Sequence, residues 1–142
     1  MLERQEFYWG AALVRLVDDS RCNSLVKKDA GYLVNSNEFV AFKYSTKSRT
    51  PWRFSFGEDE FDRLESAANC HRSVVIAFIC GGDGVCAIAW PEIISILGDK
   101  GLWISVKRNF HKQYGVAGPN GSLERKVSVQ EWPNLLFASQ VE

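Results

Sequence analysis

The segment 73–80, "SVVIAFIC", is apolar from its second residue to its last. A run of this length without alternation is typical of a β-strand that is covered on both faces. A sheet that contains such a strand needs a packed layer on each side. The run therefore predicts a layered fold in which helices pack on a central sheet.

The chain has 142 residues, 46% of them hydrophobic, which suits one globular domain. A chain of this length buries about two thirds of its unfolded surface, which is enough for a core. We predict a single domain over 1–142, with a core at 3–97 and a mainly β extension at 98–142. The 17 basic and 17 acidic residues balance, which argues against a protein that coats nucleic acid but allows a local basic patch.

Three segments predict helices. Residues 3–19 carry an apolar stripe at helical spacing, formed by Trp9, Leu13, Leu16 and Val17. Residues 57–71 begin with acids that suit the helix dipole and carry a second stripe, formed by Phe61, Leu64, Ala67 and Ala68. A shorter helix at 91–97 begins with Pro91, which is favoured at the first helical position.

The remaining segments are rich in β-forming residues. Strands are predicted at 24–28, 31–34, 38–44, 52–56, 73–80, 85–90 and 102–108, and two short strands surround the Pro-Asn-Gly turn within 114–129. Residues 132–137 form an apolar closing segment. This order predicts an α/β (α+β) fold with a central mixed sheet flanked by helices.

The stretch 39–56, "FVAFKYSTKSRTPWRFSF", contains four cations and no acid. Its two apolar halves predict the strands of a hairpin, with Trp52 in the core because it alternates in step with Phe54 and Phe56. Lysine and arginine bind phosphates, which favours a nucleic-acid surface here, formed by Lys43, Lys47, Arg49 and Arg53. The alternative is that these cations are solvated residues of an ordinary loop.

A second basic set follows in the segment 107–112, "KRNFHK". Its members are Lys107, Arg108, His111 and Lys112. If this loop and the 39–56 stretch lie on one edge of the domain, their cations form a continuous nucleic-acid-binding surface.

Over residues 3–80, the order helix, meander of three or four strands, helix, buried strand resembles the PD-(D/E)xK nuclease superfamily, in particular its Holliday-junction-resolvase branch. The resemblance implies a restriction-endonuclease-like core in which carboxylates bind Mg²⁺ and a lysine stabilises developing negative charge. Glu6 on the first helix and Asp29 correspond to the metal-binding acids. Lys43, fourteen residues after Asp29, corresponds to the catalytic lysine.

The tripeptide that ends at Lys43 reads Ala41-Phe42-Lys43, so alanine replaces the acid that the family carries there. Glu38 does not substitute for it, because a residue five positions earlier points to the opposite face of a regular strand. The resemblance therefore implies a nuclease-like scaffold with an incomplete catalytic site. Asp29 is equally explained as a turn residue, and Lys43 as a strand residue whose stem packs while its amine reaches solvent.

Other chemistry has little support in the sequence. The "CGGDGVC" segment, 80–86, lacks the lysine and following helix of a phosphate loop, and its Asp-Gly pair predicts a hairpin turn. The four cysteines form no CxxC pair and are expected to be free thiols, with Cys70 and Cys80 buried. The charged start "MLERQEF" is unlike a signal peptide, and no apolar run approaches the roughly 20 residues of a membrane span, so we predict a cytoplasmic protein without a membrane partner.

These observations support three hypotheses about function. The leading one is a nuclease-like domain that binds nucleic acid, or a nucleic-acid-processing partner, through the basic hairpin and needs no cofactor. The second is a protein-binding module such as a toxin-immunity or inhibitor protein, since exposed Trp, Tyr and Arg anchor interfaces. The third is an active Mg²⁺-dependent nuclease that uses Glu6, Asp29 and Lys43. The sequence leaves the oligomeric state open.

Overall fold

A computed structural model describes residues 1–29, 31–109 and 112–138. Its helices are α1 (Arg4–Val17), α2 (Glu58–Cys70), α3 (Trp90–Leu97) and α4 (Glu131–Phe137), with Trp132 non-helical inside α4. Its strands are β1 (Leu25–Lys28), β2 (Gly31–Val34), β3 (Glu38–Ser45), β4 (Trp52–Ser55), β5 (Ser73–Cys80), β6 (Gly84–Ala89), β7 (Trp103–Arg108), β8 (Tyr114–Gly118) and β9 (Gly121–Ser122). No helix in these ranges is long and apolar enough to cross a membrane.

The first sheet has the order β1-β2-β3-β5-β6 and is mixed. Strands β3 and β5 run parallel, with Ala41 opposite Ile76, whereas every other neighbouring pair is antiparallel. The apolar run 73–80 is the interior strand β5, and it is buried from Val74 to Cys80. The predicted hairpin at the Asp-Gly pair is confirmed, since β5 turns directly into β6.

Each face of this sheet carries its own apolar layer. On one face, α1 and α4 pack Leu16, Trp132 and Leu136 against β3 and β5 residues that include Val40 and Val75. On the other face, β5 presents alternate side chains to α2, α3 and a second sheet. The prediction of an α+β fold with a mixed sheet flanked by helices is confirmed, and β5 is covered on both faces as its sequence indicates.

The second sheet has the order β4-β7-β8-β9 and is antiparallel throughout. Its inner face places Phe54, Ile104 and Val116 against the first sheet, and Phe54 lies 4.8 Å from Phe78 of β5 between ring centroids. Strand β4 alternates buried and exposed residues, which leaves Arg53 on the outer face. This sheet joins β4 to the C-terminal strands of the chain.

The prediction that 39–56 forms a hairpin is wrong. Strand β3 already pairs with β2 on one side and β5 on the other, so it has no free edge for β4. The chain instead crosses from the first sheet to the second, where β4 pairs with β7. The basic loop between them connects two layers.

The helices are close to their predicted bounds, but some of their faces are rotated. Val17, placed in the first stripe, is 53% exposed, and Ala68 of the second stripe is also exposed. Cys70, expected to be buried, lies exposed on the last turn of α2, whereas Cys80 is buried as expected. All four cysteines are free thiols.

An ion pair at the end of α1 leads to a prediction about acid stability. The side chain of Arg21 donates to both Asp19 oxygens at 2.9 Å and also donates to the Asn134 side chain of α4. The Arg21 hydrogen bond lowers the pKa of Asp19 from 3.8 to about 2. A carboxyl whose pKa falls on folding stabilises the fold above its unfolded pKa, and this contribution disappears as the pH falls towards the folded value.

We therefore expect part of the loss of stability between pH 4 and pH 2 to depend on Asp19. Denaturant unfolding of Asp19→Asn across this window should show a shallower pH dependence than the wild type. Asp18→Asn, which removes the neighbouring exposed carboxyl, is the matched control and should keep the wild-type slope. Equal slopes for wild type and Asp19→Asn would contradict the assignment.

Candidate nucleic-acid interface

The structure does not assemble the metal site that the nuclease resemblance implies. Glu6 lies on α1, which packs on one face of the first sheet, and its carboxylate accepts the Glu3 backbone N–H at 3.1 Å. Lys43 points to the opposite face, where its Nζ lies 5.0 Å from the Phe56 ring centroid. A sheet thus separates the predicted acid from the predicted lysine.

Lys43 is also engaged in an ion pair. Its amine donates to both oxygens of Glu60 in the first turn of α2, at 2.8 and 3.1 Å. Ala41, where the family carries an acid, faces the same layer and is only 4% exposed among apolar neighbours. The strand position that would bind a metal is therefore part of the hydrophobic core.

Asp29 occupies the turn between β1 and β2 with a positive φ of 51°, as an aspartate in a tight turn commonly does. It lines a groove of about 300 Å³ beside α2, together with Asp62 and His71. Within the described ranges, no group of three or more His, Cys, Asp or Glu residues is placed to hold a metal ion. Glu6 and Asp29 therefore do not fit a shared Mg²⁺ site.

The two basic segments of the sequence meet in the structure. The backbone N–H of Arg108 donates to the Thr50 hydroxyl at 2.9 Å, which joins the loop after β3 to the end of β7. Arg49 and Arg108 line one depression of about 600 Å³, and Asn109 lies at its border. The expectation that both loops lie on one edge is met for these residues, whereas His111 lies outside the described residues.

Arg108 is held in place by a small polar network. Its guanidinium donates to Asp83 at 2.9 Å and to the Lys112 carbonyl at 2.7 Å. The Tyr114 hydroxyl donates to the same Asp83 oxygen at 2.8 Å, and burial raises the pKa of Tyr114, which keeps that hydroxyl protonated. Asp83 therefore orients Arg108 and neutralises part of its charge.

The outer face of the second sheet forms a second, more strongly basic depression. This groove of about 730 Å³ adjoins the first through Asn109, which lines both. Three lysines lie along it, and no Asp or Glu is among its lining residues: Ser105, Lys107, Asn109, Lys112, Gln113, Gly115, Val116, Ala117, Ser122, Leu123 and Lys126. We refer to it as the lysine groove.

The strand register explains how the lysine groove is built. On the outer face, Lys107 of β7 pairs with Gly115 of β8, and Ser105 pairs with Ala117. Small side chains therefore form the floor, because β8 presents only Gly and Ala between the cations. Arg53 pairs with Ser105 from the β4 side, which extends the positive charge across the sheet.

The loop before β4 and β4 itself carry the remaining cations. Trp52 is 2% exposed, which confirms the prediction that it is a core residue, and its indole N–H donates to the Lys47 carbonyl at 2.8 Å. Arg53 is exposed and stacks over Trp103, with its guanidinium carbon 4.3 Å from the ring centroid. Arg49 and Lys47 are also exposed.

Lys43 is paired with Glu60 and is left out of the set. The other six cations predicted to bind nucleic acid lie in the loop before β4, on β4 or at the two depressions, and Lys126 joins them in the lining of the lysine groove. We call the resulting set the basic surface: Lys47, Arg49, Arg53, Lys107, Arg108, Lys112 and Lys126. The sequence contains a signal for Lys126, because the Pro-Asn-Gly turn folds its segment back beside β8, where Val127 bridges Tyr114. A neutral chain can have such a surface because acids collect elsewhere, for example on α2.

Comparison of the chain with protein-family models, curated proteins and solved structures gave no match.

Proposed function

We propose that the protein binds nucleic acid through the basic surface. The observation that supports this most is the lysine groove, which has three lysines and no carboxylate in its lining and adjoins the Arg49 and Arg108 depression. Lysine and arginine that neutralise phosphates release condensed counterions, which drives binding independently of sequence. Uncharged hydroxyl and amide groups between them are further donors to phosphate oxygens.

A nuclease-like origin of the first sheet is part of the same proposal. Its support is the chain order, in which α1, the antiparallel meander β1-β2-β3 and α2 precede a strand β5 that runs parallel to β3. We propose binding rather than cleavage, because Ala41 is buried in the core and Glu6 lies across the sheet from Lys43. A reducing, cytoplasmic location suits four free thiols.

The proposal predicts that removing cations of the basic surface weakens binding. The test variant replaces three cations of the basic surface with alanine: Lys47, Arg49 and Arg53. The control variant makes the same change in net charge on α1 and β1, outside the basic surface: Arg15, Lys27 and Lys28. Fluorescence anisotropy with labelled single-stranded and duplex oligonucleotides at about 50 mM salt should show the test variant binding at least several-fold more weakly than the control.

Equal affinities for the two variants would place the interface elsewhere and contradict the proposal. Retained folding is checked by thermal melting, since the three test residues are exposed and surface substitutions usually change stability by less than about 0.5 kcal/mol. The single-stranded and duplex arms also show which form of nucleic acid is preferred.

The protein-binding alternative has one observation of its own. The side of α1 that faces away from the sheet exposes Phe7, Val14 and Val17 by 59%, 56% and 53%. Exposed apolar side chains that recur along a helix can form a protein interface. A stoichiometric complex with a defined partner protein that Val14→Asp abolishes, together with no oligonucleotide binding, would favour this function over the first.

A further inference from the structure

We propose that the lysine groove contains a phosphate subsite centred over Gly115, with Lys107 and Lys126 as its two charged walls. The inference rests on the proposed function for the source of the phosphate, a nucleic-acid backbone. Lys126 lay outside every site predicted from the sequence.

The position of the two lysines follows from backbone pairing. Lys107 stands directly opposite Gly115 in the β7–β8 ladder. On the other side of β8, the Val127 and Tyr114 backbones exchange hydrogen bonds of 2.8 and 2.9 Å, which fixes the segment that carries Lys126. The Lys126 amine reaches back over β8, so that its Nζ lies 3.0 Å from where a Cβ on Gly115 would stand.

The absence of a side chain at Gly115 leaves room for the Lys126 amine to lie over β8, on the face that also carries Lys107. Neighbouring strands lie about 4.8 Å apart, so the backbones of Lys107 and Lys126 are separated by roughly 10 Å, with β8 between them. A phosphate group on the solvent side of this face can accept a hydrogen bond from each ammonium group. Ser105 and Ser122, one step further along the same face, line the groove with hydroxyl donors.

Two acids near Lys126 are paired with its neighbour Arg125. Arg125, the residue before Lys126, donates to Glu92 at 2.8 Å and to Glu131 at 3.1 Å. None of the residues that line the lysine groove is an acid. Lys107 and Lys126 therefore face a region of positive potential, which favours a bound anion.

The experiment uses two variants of the full chain. Gly115→Val places a side chain against the Lys126 amine and displaces the flexible end of Lys126 from its position over β8, and a β-branched residue suits a strand. Lys126→Gln removes one amine and keeps the stem. The controls are Gly10→Ala, at a glycine with open space around it, and Lys100→Gln, an exposed lysine outside the groove lining.

Two measurements are made on each protein. NMR titration with inorganic phosphate, against chloride at equal ionic strength, should shift the backbone amides at positions 107 and 115 in the wild type and both controls, and in neither test variant. Anisotropy with labelled oligonucleotides should show the salt slope reduced by about one in Lys126→Gln, as expected for one lost phosphate contact. Thermal melting confirms that the variants are folded.

The outcomes separate the subsite from the proposed function. Phosphate shifts that survive Gly115→Val, or that spread evenly over all exposed lysines, would overturn the subsite. The subsite would also be overturned if both test variants bound oligonucleotides as well as the wild type while the Lys47, Arg49 and Arg53 variant was impaired. In that case the proposed function would stand. Phosphate binding at Gly115 without any oligonucleotide binding would support the subsite, assign it to small phosphate compounds and reject the proposed function.

Discussion

Replacing Phe78 with alanine should lower the free energy of unfolding by about 3–5 kcal/mol, the range for truncating a fully buried phenylalanine. Phe78 is 0% exposed in the C-terminal half of β5. Its ring contacts Phe54 and Phe56 at centroid distances of 4.8 and 6.2 Å, so it joins the two sheets. The truncation leaves a cavity between layers that cannot close without moving a strand.

Urea unfolding followed by tryptophan fluorescence and circular dichroism measures this change. Val14→Ala is the matched control, because Val14 is 56% exposed on α1 and its truncation should shift stability by less than about 0.5 kcal/mol. A loss below about 1 kcal/mol for Phe78→Ala would mean that the second sheet does not pack on β5 as described. If Phe78→Ala fails to fold, the result supports the packing of the second sheet on β5 only when Phe78→Leu, which retains most of the side-chain volume, does fold.

The second large effect concerns binding. Changing Lys107 and Lys126 together to glutamate puts two negative charges in the lysine groove. Like charges brought together at an interface cost several kcal/mol, which corresponds to more than about a hundredfold in affinity for nucleic acid. Both side chains are exposed, so the fold should be retained.

The matched control reverses Lys27 and Lys28 on β1, which gives the same change in net charge at the far edge of the first sheet. Its affinity should remain within about tenfold of the wild type, because exposed charges more than about 10 Å away are largely screened. If both double variants lose affinity equally, net charge and not the lysine groove determines binding.

Much of the fold follows from local sequence. The apolar run of β5, the alternation of Trp52, Phe54 and Phe56, and the Asp-Gly turn before β6 each indicate their structure directly, because each signal is contained in a few adjacent residues. The mixed sheet flanked by helices follows from their order. The helix faces show the limit, since whether a residue such as Val17 or Ala68 is covered or exposed depends on segments that are distant in the chain.

The pairing of strands could not be predicted in the same way. Residues 39–56 contain two strands and a turn-like loop, which is also what a hairpin looks like in sequence. The position of β4 depends on two strands that are distant in the chain. Strand β5 occupies the side of β3 that a hairpin partner would need, and β7, about 50 residues later, provides the edge with which β4 pairs. The sequence around the loop therefore does not indicate which strand pairs with the edge of β3.

The sequence indicates most of the cations of the candidate site, but it does not indicate how the fold arranges them. Both basic segments are visible as runs of cations, and they lie together as expected if they share an edge. Lys126 enters only through the pairing of its segment with β8. Conversely, the spacing of Asp29 and Lys43 resembles a nuclease, while the burial of Ala41 and the ion pair between Lys43 and Glu60 depend on contacts between layers.

Whether this protein is a nucleic-acid-binding domain is decided by a salt titration of the wild type. Affinity for a labelled single-stranded oligonucleotide is measured by anisotropy from about 50 to 200 mM salt. Because each neutralised phosphate contributes about −0.7 to the slope of log affinity against log salt, four to six contacts from the basic surface predict a slope of roughly −3 to −4. No detectable binding at 50 mM salt, or an affinity that does not change with salt, would contradict the proposed function.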